Sequence, residues 1–219
     1  MNISLSRYRG RPLIRAVCVF MLPVVLAGCA IKKYPPLPTT KGTLPSTSDP
    51  AAYNYLIGPG DNVNIFVWRN AEVSTSVTVR PDGKITTPLV EDLPASGKTP
   101  TQLARDIEKS LATYIKEPIV TVIVGGFIGP YSEQIRVVGE AAKPQALPYR
   151  QKMTMLDLMI AVGGITDFAD GNKASIVRFV DGKQRQFQVR LEDLVKDGDI
   201  SANVDMLPGD ILIIPESWF

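Results

Sequence analysis

The chain has 219 residues, 45% of them hydrophobic and 21% charged, which is typical of a folded protein with one large domain or two small ones. It contains no histidine and only two cysteines. Nucleophilic sites of the Ser–His or Cys–His type are therefore excluded, and a zinc site would need an unusual all-oxygen ligand set.

The first 28 residues have the composition of a secretory signal. They contain four arginines and no acidic residue, and their apolar stretch over residues 16–27 is shorter than the roughly 20 residues of a membrane-spanning helix. The stretch ends in Leu-Ala-Gly-Cys, which resembles the lipobox of bacterial lipoproteins. This resemblance implies cleavage before Cys29 and acylation of Cys29; a plain signal peptide cleaved nearby is the alternative.

Removal of residues 1–28 changes the charge and the cysteine content. Twenty basic and 22 acidic residues remain, a net charge of −2 that gives no reason to expect nucleic-acid binding. Cys29 would be acylated, so no disulfide is expected. Because no aspartate follows Cys29, resemblance to Gram-negative lipoproteins implies an outer-membrane, lipid-anchored location facing the periplasm.

After the anchor, the sequence predicts a tether and a first folded unit. Residues 29–52 are rich in Pro, Thr and Ser, which is typical of a flexible, extended linker. The alternation over residues 63–68 predicts a strand, and the two β-rich runs flanking Pro81-Asp82-Gly83 predict a hairpin. A helix begins after Thr99, and residues 118–124 predict a well-buried strand.

The second folded unit follows a glycine-rich break near residue 126. It is predicted to contain a strand over residues 134–140, a helix with Thr154 as N-cap that ends at Gly163-Gly164, and a hairpin around Asp181-Gly182. A last strand follows at residues 211–215. Each half thus combines strands with one helix, so the predicted fold class is α+β in two small domains.

No motif in the chain indicates catalysis or a cofactor. The Pro-Gly-Asp sequences within residues 58–61 and 207–210 are interpreted as turns that lead into strands. Neither is a phosphate loop, because no Gly-Lys-Ser/Thr follows. The carboxylates show no pair with a spacing typical of glycosidases, so we expect no catalytic residue, no cofactor and no metal.

Five side chains are candidates for contacting a glycan. Tyr53, Tyr55 and Trp68 could stack on sugar rings, although packing in the protein is the simpler interpretation. Arg178 and Arg185 lie on the predicted second hairpin and could contact an anionic glycan. A solvated strand face is the alternative for this basic pair.

Several segments of the chain resemble, in the same order, the motifs of a known protein family. YLIGPGDNVNIFVW, VTVRPDGKITTPLV, GKTPTQLARDIEKSL and PIVTVIV, in that order, resemble the N-terminal domain of the outer-membrane polysaccharide export family, here placed at residues 53–126. IRVVGEAAKP and TMLDLMIAVGGIT resemble the β-grasp SLBB module that follows it, here placed at residues 132–219. Gln145 stands where the family usually has glycine, and the ending IPESWF is similar to that of short members associated with exosortase-type loci.

The resemblance implies a non-catalytic component of a capsule or exopolysaccharide exporter. Subunits would form a homo-oligomeric ring that conducts polysaccharide, together with an inner-membrane copolymerase. Long family members end in an amphipathic helix that crosses the outer membrane. Nothing here follows ILIIPESWF, so a separate outer-membrane β-barrel is the expected partner. The alternatives are a peptidoglycan- or glycan-binding lipoprotein scaffold with a LysM-like start and, less favoured, a glycan hydrolase.

Overall fold

The computed structural model describes residues 35–37, 53–180 and 182–218. Two separate clusters of buried apolar side chains lie in the described part of the chain, one formed by residues 57–120 and the other by Leu37 and residues 135–214. Helices and strands contribute to both clusters. The predicted α+β class and the two-domain organisation are therefore confirmed.

The first domain is built on a small antiparallel sheet with the strand order β2-β1-β5. A separate two-stranded sheet, β3-β4, and one helix complete it. The elements are β1 (Asn62–Val67), β2 (Thr75–Thr78), β3 (Lys84–Thr87), β4 (Val90–Pro94), α1 (Pro100–Leu111) and β5 (Val120–Gly125). The strict alternation of exposed and buried residues along β1 follows from the period of two in a strand and turns its aliphatic side chains toward the core.

Helix α1 begins at the predicted capping box. The Gln102 amide N–H donates to the Thr99 hydroxyl at 3.2 Å, and the Thr99 N–H donates to the Gln102 side-chain oxygen at 2.9 Å. Two of the N–H groups that a helix start leaves without intrahelical partners are thereby satisfied. The helix buries Leu103, Ile107 and Leu111 on one face, as their spacing predicts.

The predicted hairpin around Pro81-Asp82-Gly83 is only half right. The tight turn exists, because the Gly83 N–H donates to the Arg80 carbonyl at 2.8 Å. The prediction that its two flanking strands pair with each other is wrong, since β2 pairs with β1 and β3 pairs with β4. A sequence turn fixes the change of direction, but the partner of each strand depends on which neighbour covers its buried face.

The prediction of a well-buried strand at residues 118–124 is also wrong. Strand β5 lies at the edge of its sheet and packs one face on the core. On its other face Ile123 is 57% exposed, and Ile119, just before the strand, is 59% exposed. A short β-branched run does not by itself distinguish a central strand from an edge strand.

The second domain contains a mixed five-stranded sheet in the order β7-β6-β10-β8-β9. Its elements are β6 (Gln134–Gly139), β7 (Ala146–Pro148), α2 (Met155–Val162), β8 (Ser175–Val180), β9 (Lys183–Gln188), α3 (Leu191–Val195) and β10 (Ile211–Ile214). The last strand, β10, is central, parallel to β6 and antiparallel to β8. The predicted β8–β9 hairpin and the capped helix α2 are confirmed. The prediction of one helix in this half is wrong, because α3, at five residues, is too short to show helical periodicity.

Three residues of the predicted tether contact the second domain. Pro36 forms a parallel bridge with Gln188 of β9. The Gln188 N–H donates to the Pro35 carbonyl at 3.1 Å, and the Leu37 N–H donates to the Gln188 carbonyl at 3.4 Å. Leu37 is only 7% exposed and belongs to the second domain's core. The segment 35–37 is therefore docked on the β9 edge by one isolated β-bridge and by the burial of Leu37, and the rest of residues 29–52 lies outside the described residues.

Candidate functional site

The outward side of the first sheet carries an exposed aromatic pair. Because β1 alternates, Asn62, Asn64 and Phe66 point away from the core, and Trp68 continues the same side. Phe66 is 46% and Trp68 is 53% exposed, and their ring centroids lie 6.4 Å apart in an edge-on arrangement. The Arg69 guanidinium lies 5.9 Å from the centre of the Trp68 ring, within range of a cation–π interaction.

Polar groups and an aliphatic side chain extend this surface. Thr121 lies opposite Phe66 and Ile123 lies opposite Asn64 in the β1–β5 register, while the Ser76 hydroxyl donates to the Asn62 side-chain oxygen at 2.9 Å. We call this surface the aromatic face; it consists of Asn62, Asn64, Phe66, Trp68, Thr121 and Ile123. Flat aromatic rings beside amides and hydroxyls suit a ligand with both apolar C–H faces and hydroxyl groups.

Trp68 is the sequence candidate that lies on the aromatic face. Phe66 was not among the candidates, although the alternation along β1 already placed it on the same side as Trp68. The missing information was the identity of the neighbouring strand. Only the tertiary structure shows that Phe66, Trp68 and Ile123 remain exposed on this side of the sheet, which is therefore a surface rather than a second core.

Tyr55 belongs to a buried carboxylate site instead. Asp61 has no exposed surface, and its carboxylate accepts hydrogen bonds from the Tyr55 hydroxyl and from the backbone N–H groups of Gly58 at 2.8 Å and Ile128 at 2.6 Å. The Gly129 N–H donates a longer bond at 3.3 Å. Burial, followed by the hydrogen bond to Asp61 and its negative charge, raises the pKa of Tyr55 well above its ordinary value.

This site joins the first domain to the connection between the domains. A methyl group on Gly58 would lie 1.9 Å from the carbonyl carbon of Gly129, so the two backbones approach as closely as only glycine allows. Gln134, the first residue of β6, donates from its amide to the Ile128 and Gly129 carbonyls at 3.3 Å each. We call Tyr55, Gly58, Asp61, Ile128, Gly129 and Gln134 the junction.

Tyr53 also packs between the two domains. Its ring lies edge-on to that of Tyr149, which follows β7, with centroids 5.0 Å apart. Burial, then the charge of Glu133 and the neighbouring Tyr149, raise the pKa of the Tyr53 hydroxyl. The packing interpretation of Tyr53 and Tyr55 thus has direct support, and neither ring lies on the aromatic face.

The two candidate arginines have different surroundings. The Arg178 guanidinium donates to both oxygens of the buried Asp210, at 2.9 and 2.7 Å, and its side chain is only 13% exposed. This bidentate pair leaves the glycan-contact hypothesis for Arg178 without geometric support. Arg185 lies opposite Arg178 in the hairpin and is exposed, so it remains a candidate in the second domain.

Other kinds of site receive no support from residues 35–37, 53–180 and 182–218. In these ranges, His, Cys, Asp and Glu side chains form no group of three that could hold a metal. No helix within the same ranges is long and apolar enough to cross a membrane. Cys29, the candidate lipidation site, lies outside the described residues.

Family comparisons agree with the two domains. Residues 49–125 match the family model described as polysaccharide biosynthesis/export protein. Residues 133–214 match the model described as SLBB domain. Together the two matches cover most of the chain, in the order that the motifs predict.

Two curated relatives have related names. An exopolysaccharide production protein, ExoF, from Rhizobium meliloti is 29% identical over 135 residues, which are 56% of this chain and 31% of the relative. An EPS I polysaccharide export outer membrane protein, EpsA, from Ralstonia nicotianae is 26% identical over 186 residues, which are 74% of this chain and 47% of the relative. The chain therefore spans less than half the length of either relative.

Proposed function

Because the chain combines a polysaccharide biosynthesis/export domain with an SLBB domain, we propose that it is a component of a capsular or exopolysaccharide export translocon. The observation that carries this proposal is the presence of both domains in this order. The name of ExoF supports a role in exopolysaccharide production, and the name of EpsA supports polysaccharide export and an outer-membrane location. The proposal requires binding and guidance of a polymer and assigns no chemical step to the chain.

In the proposed assembly, subunits form an oligomeric ring that conducts polysaccharide toward the cell surface. The aromatic face is the surface of the first domain that best suits a sugar polymer, because about half of the Phe66 and Trp68 side chains is exposed on the same side of β1 as the exposed Asn62 and Asn64 amides. An inner-membrane copolymerase and a separate outer-membrane β-barrel protein are the proposed partners. The junction supports such an assembly by fixing the first domain to the connection before β6.

Deletion of the gene tests the proposal most directly. We expect polymer outside the cell to fall and intracellular polymer to rise, measured as the ratio of the two pools. Unchanged secretion would contradict the export function. Binding to isolated peptidoglycan sacculi together with unchanged secretion would instead favour the scaffold alternative.

The role of the aromatic face is tested by complementation. A variant with Phe66→Ala and Trp68→Ala should accumulate to the normal level but secrete several-fold less polymer, because both side chains are exposed and contribute little to the core. Tyr114→Ala is a matched control, since Tyr114 is an aromatic residue with 63% exposure outside the aromatic face. Equal secretion by both variants would remove the glycan-contact role of Phe66 and Trp68.

We also propose that acylated Cys29 anchors the protein in the outer membrane with its folded part facing the periplasm. The protein should incorporate labelled fatty acid, whereas a Cys29→Ser variant should not. Label uptake by the variant would show that the lipid is attached elsewhere. Several acyl chains on one residue anchor durably, because each buried methylene contributes about 0.8 kcal/mol.

A further inference from the structure

The three strands of the first sheet carry no charged side chain. Their sequences are NVNIFV in β1, TSVT in β2 and VTVIVG in β5, whereas charged residues make up 21% of the whole chain. The buried side of a sheet lacks charges because an unpaired charge is costly there. The exposed side of a soluble sheet commonly carries lysine or glutamate, so a neutral exposed side indicates a surface with another use.

Amides and hydroxyls line the exposed side of this sheet. Ser76 and Thr78 on β2 lie opposite Asn64 and Asn62 of β1. Because the Ser76 hydroxyl donates to the Asn62 side-chain oxygen, the NH₂ group of that amide is the part that can donate to a ligand. The exposed side chains of Asn64, Thr78 and Thr121 add neutral donors and acceptors that a ligand can reach.

The cation that contacts the aromatic face lies at one end of it. The Arg69 guanidinium is placed beside the Trp68 ring. Asn64 precedes Trp68 by four residues, which is about 14 Å along an extended strand. This distance exceeds the Debye length of about 8 Å at physiological ionic strength. The charge of Arg69 therefore cannot offset a negative charge that is held beside the amides of β1.

A neutral pyranose ring fits the aromatic face in both of its chemical aspects. A ring with equatorial hydroxyls presents C–H groups on its two faces, which can pack on Phe66 and Trp68, and directs its hydroxyls outward to amides and hydroxyls. A uronate carboxylate at the amide end would lose water without gaining a cation, and this loss costs more for a charge than for a hydroxyl. Charge complementarity therefore favours uncharged sugars.

We propose that the aromatic face binds uncharged stretches of the polymer, made of pyranose rings with equatorial hydroxyls, and discriminates against acidic sugars. This inference rests on the proposed export function and names the class of ligand for the same surface. Phe66 and Trp68 provide the stacking surface, and Asn64 provides neutral hydrogen-bonding groups. Because no ion pair is involved, the binding is independent of salt.

Oligosaccharide binding to the full-length protein tests the ligand class. The chain has two tryptophans, so Trp218→Phe leaves Trp68 as the fluorescent reporter. The probes are cellohexaose, a neutral β-linked glucose hexamer, and the same hexamer oxidised at C6 to glucuronate, which keeps the ring geometry and adds carboxylates. Cellohexaose should change the Trp68 emission saturably and with an affinity several-fold higher than that of the oxidised hexamer. Added salt should leave the affinity for cellohexaose unchanged.

A variant that introduces a cation tests why acidic sugars are disfavoured. In the Trp218→Phe background, Asn64→Lys should raise the affinity for the oxidised hexamer several-fold, because the carboxylates then gain a partner. Thr101→Lys is the matched control, since it adds the same charge at an exposed position of α1, the helix that packs on the buried side of the sheet. A gain of binding cannot result from misfolding. An equal gain in both variants, or no gain in either, would contradict the inference.

The outcomes separate this inference from the function on which it rests. Equal or tighter binding of the oxidised hexamer by the Trp218→Phe protein would overturn the preference for neutral sugars and leave the export function standing. Failure of both hexamers to change the Trp68 emission would overturn the inference together with the glycan-contact role of the aromatic face. Unchanged secretion after gene deletion would overturn the export function even if cellohexaose binds preferentially.

Discussion

The two Pro-Gly-Asp turns, at residues 58–61 and 207–210, have the same local structure but different tertiary partners. In each, the aspartate N–H donates to the carbonyl of the first turn residue at 3.2 Å, and the N–H of that first residue donates to the carboxylate at 2.8 Å. The glycine before the aspartate has a φ of +90° in the first turn and +82° in the second. Proline and glycine in these positions favour this turn wherever it occurs.

The remaining hydrogen-bonding capacity of each carboxylate is used differently. Asp61 binds backbone N–H groups of the connection between the domains, so the first turn holds the junction together. Asp210 binds the guanidinium of Arg178, so the second turn stabilises the interior of its own domain. One local motif thus buries a carboxylate in both places, and the tertiary surroundings decide whether the dipoles of N–H and O–H groups or the full positive charge of a guanidinium compensate that carboxylate.

The largest effect is expected for Asp210→Asn. Loss of the negative charge leaves the Arg178 guanidinium, with its 13% exposed side chain, unpaired. Removing one partner of a buried ion pair typically costs about 3–5 kcal/mol in the free energy of unfolding. Urea denaturation followed by a probe in the second domain measures this loss.

The double variant Arg178→Met with Asp210→Asn separates the cost of an unpaired Arg178 charge from the cost of altering the turn that contains Asp210. It removes the unpaired cation and should recover a large part of the loss. If Asp210→Asn alone changes the unfolding free energy by less than about 1 kcal/mol, the Arg178–Asp210 pair contributes no more than an exposed salt bridge does. That result would contradict the role of the second turn in stabilising its own domain.

A smaller effect is expected for Asp61→Asn. The amide retains one acceptor oxygen, but its NH₂ group would face backbone donors, and an unsatisfied buried donor costs about 1–3 kcal/mol. The connection around Ile128 and Gly129 should loosen, which hydrogen exchange at their amides detects. Asp82→Asn is the matched control, because Asp82 occupies an exposed turn and should leave this exchange unchanged.

Gly58→Ala tests the close approach at the junction. The added methyl group overlaps the backbone of Gly129, and relieving such an overlap typically costs about 1–3 kcal/mol. Gly60→Ala is the comparison within the same turn: its methyl group would meet the tip of the Ile128 side chain at 3.0 Å, so its cost comes chiefly from the positive φ. Proteolysis of the connection should be faster in the Gly58 variant than in the Gly60 variant.

The smallest effect is expected for Tyr55→Phe, which removes one donor to Asp61 at a cost of about 1 kcal/mol near neutral pH. The folded state raises the pKa of Tyr55 above its ordinary value of 10.0. The contribution of the proton on Tyr55 is therefore complete below pH 10 and is lost as the pH rises beyond that value. The stability difference between the wild type and the variant should shrink as the pH rises above 10, and a constant difference would contradict the role of this proton.

Much of the architecture could be predicted from local patterns. The capping boxes at Thr99 and Thr154, the alternation along β1 and the Asp181-Gly182 hairpin signal act over a few residues, so the sequence contains their physical cause. Strand pairing is different, because the partner of β2 is set by distant burial. Edge position is equally non-local, which is why the exposure of β5 and the docking of Leu37 could not be predicted.

The residues of the candidate site also divide into features that the local sequence predicts and features that depend on distant contacts. The sequence by itself determined that the chain has two α+β domains with the motifs of polysaccharide export proteins, and that Trp68 and Phe66 share one side of a strand. Only the tertiary structure decided that this side is exposed, that Tyr55 joins the junction and that Arg178 is paired with Asp210. The physical reason is that turns and caps depend on neighbours in the chain, whereas burial and charge compensation depend on groups that folding brings together.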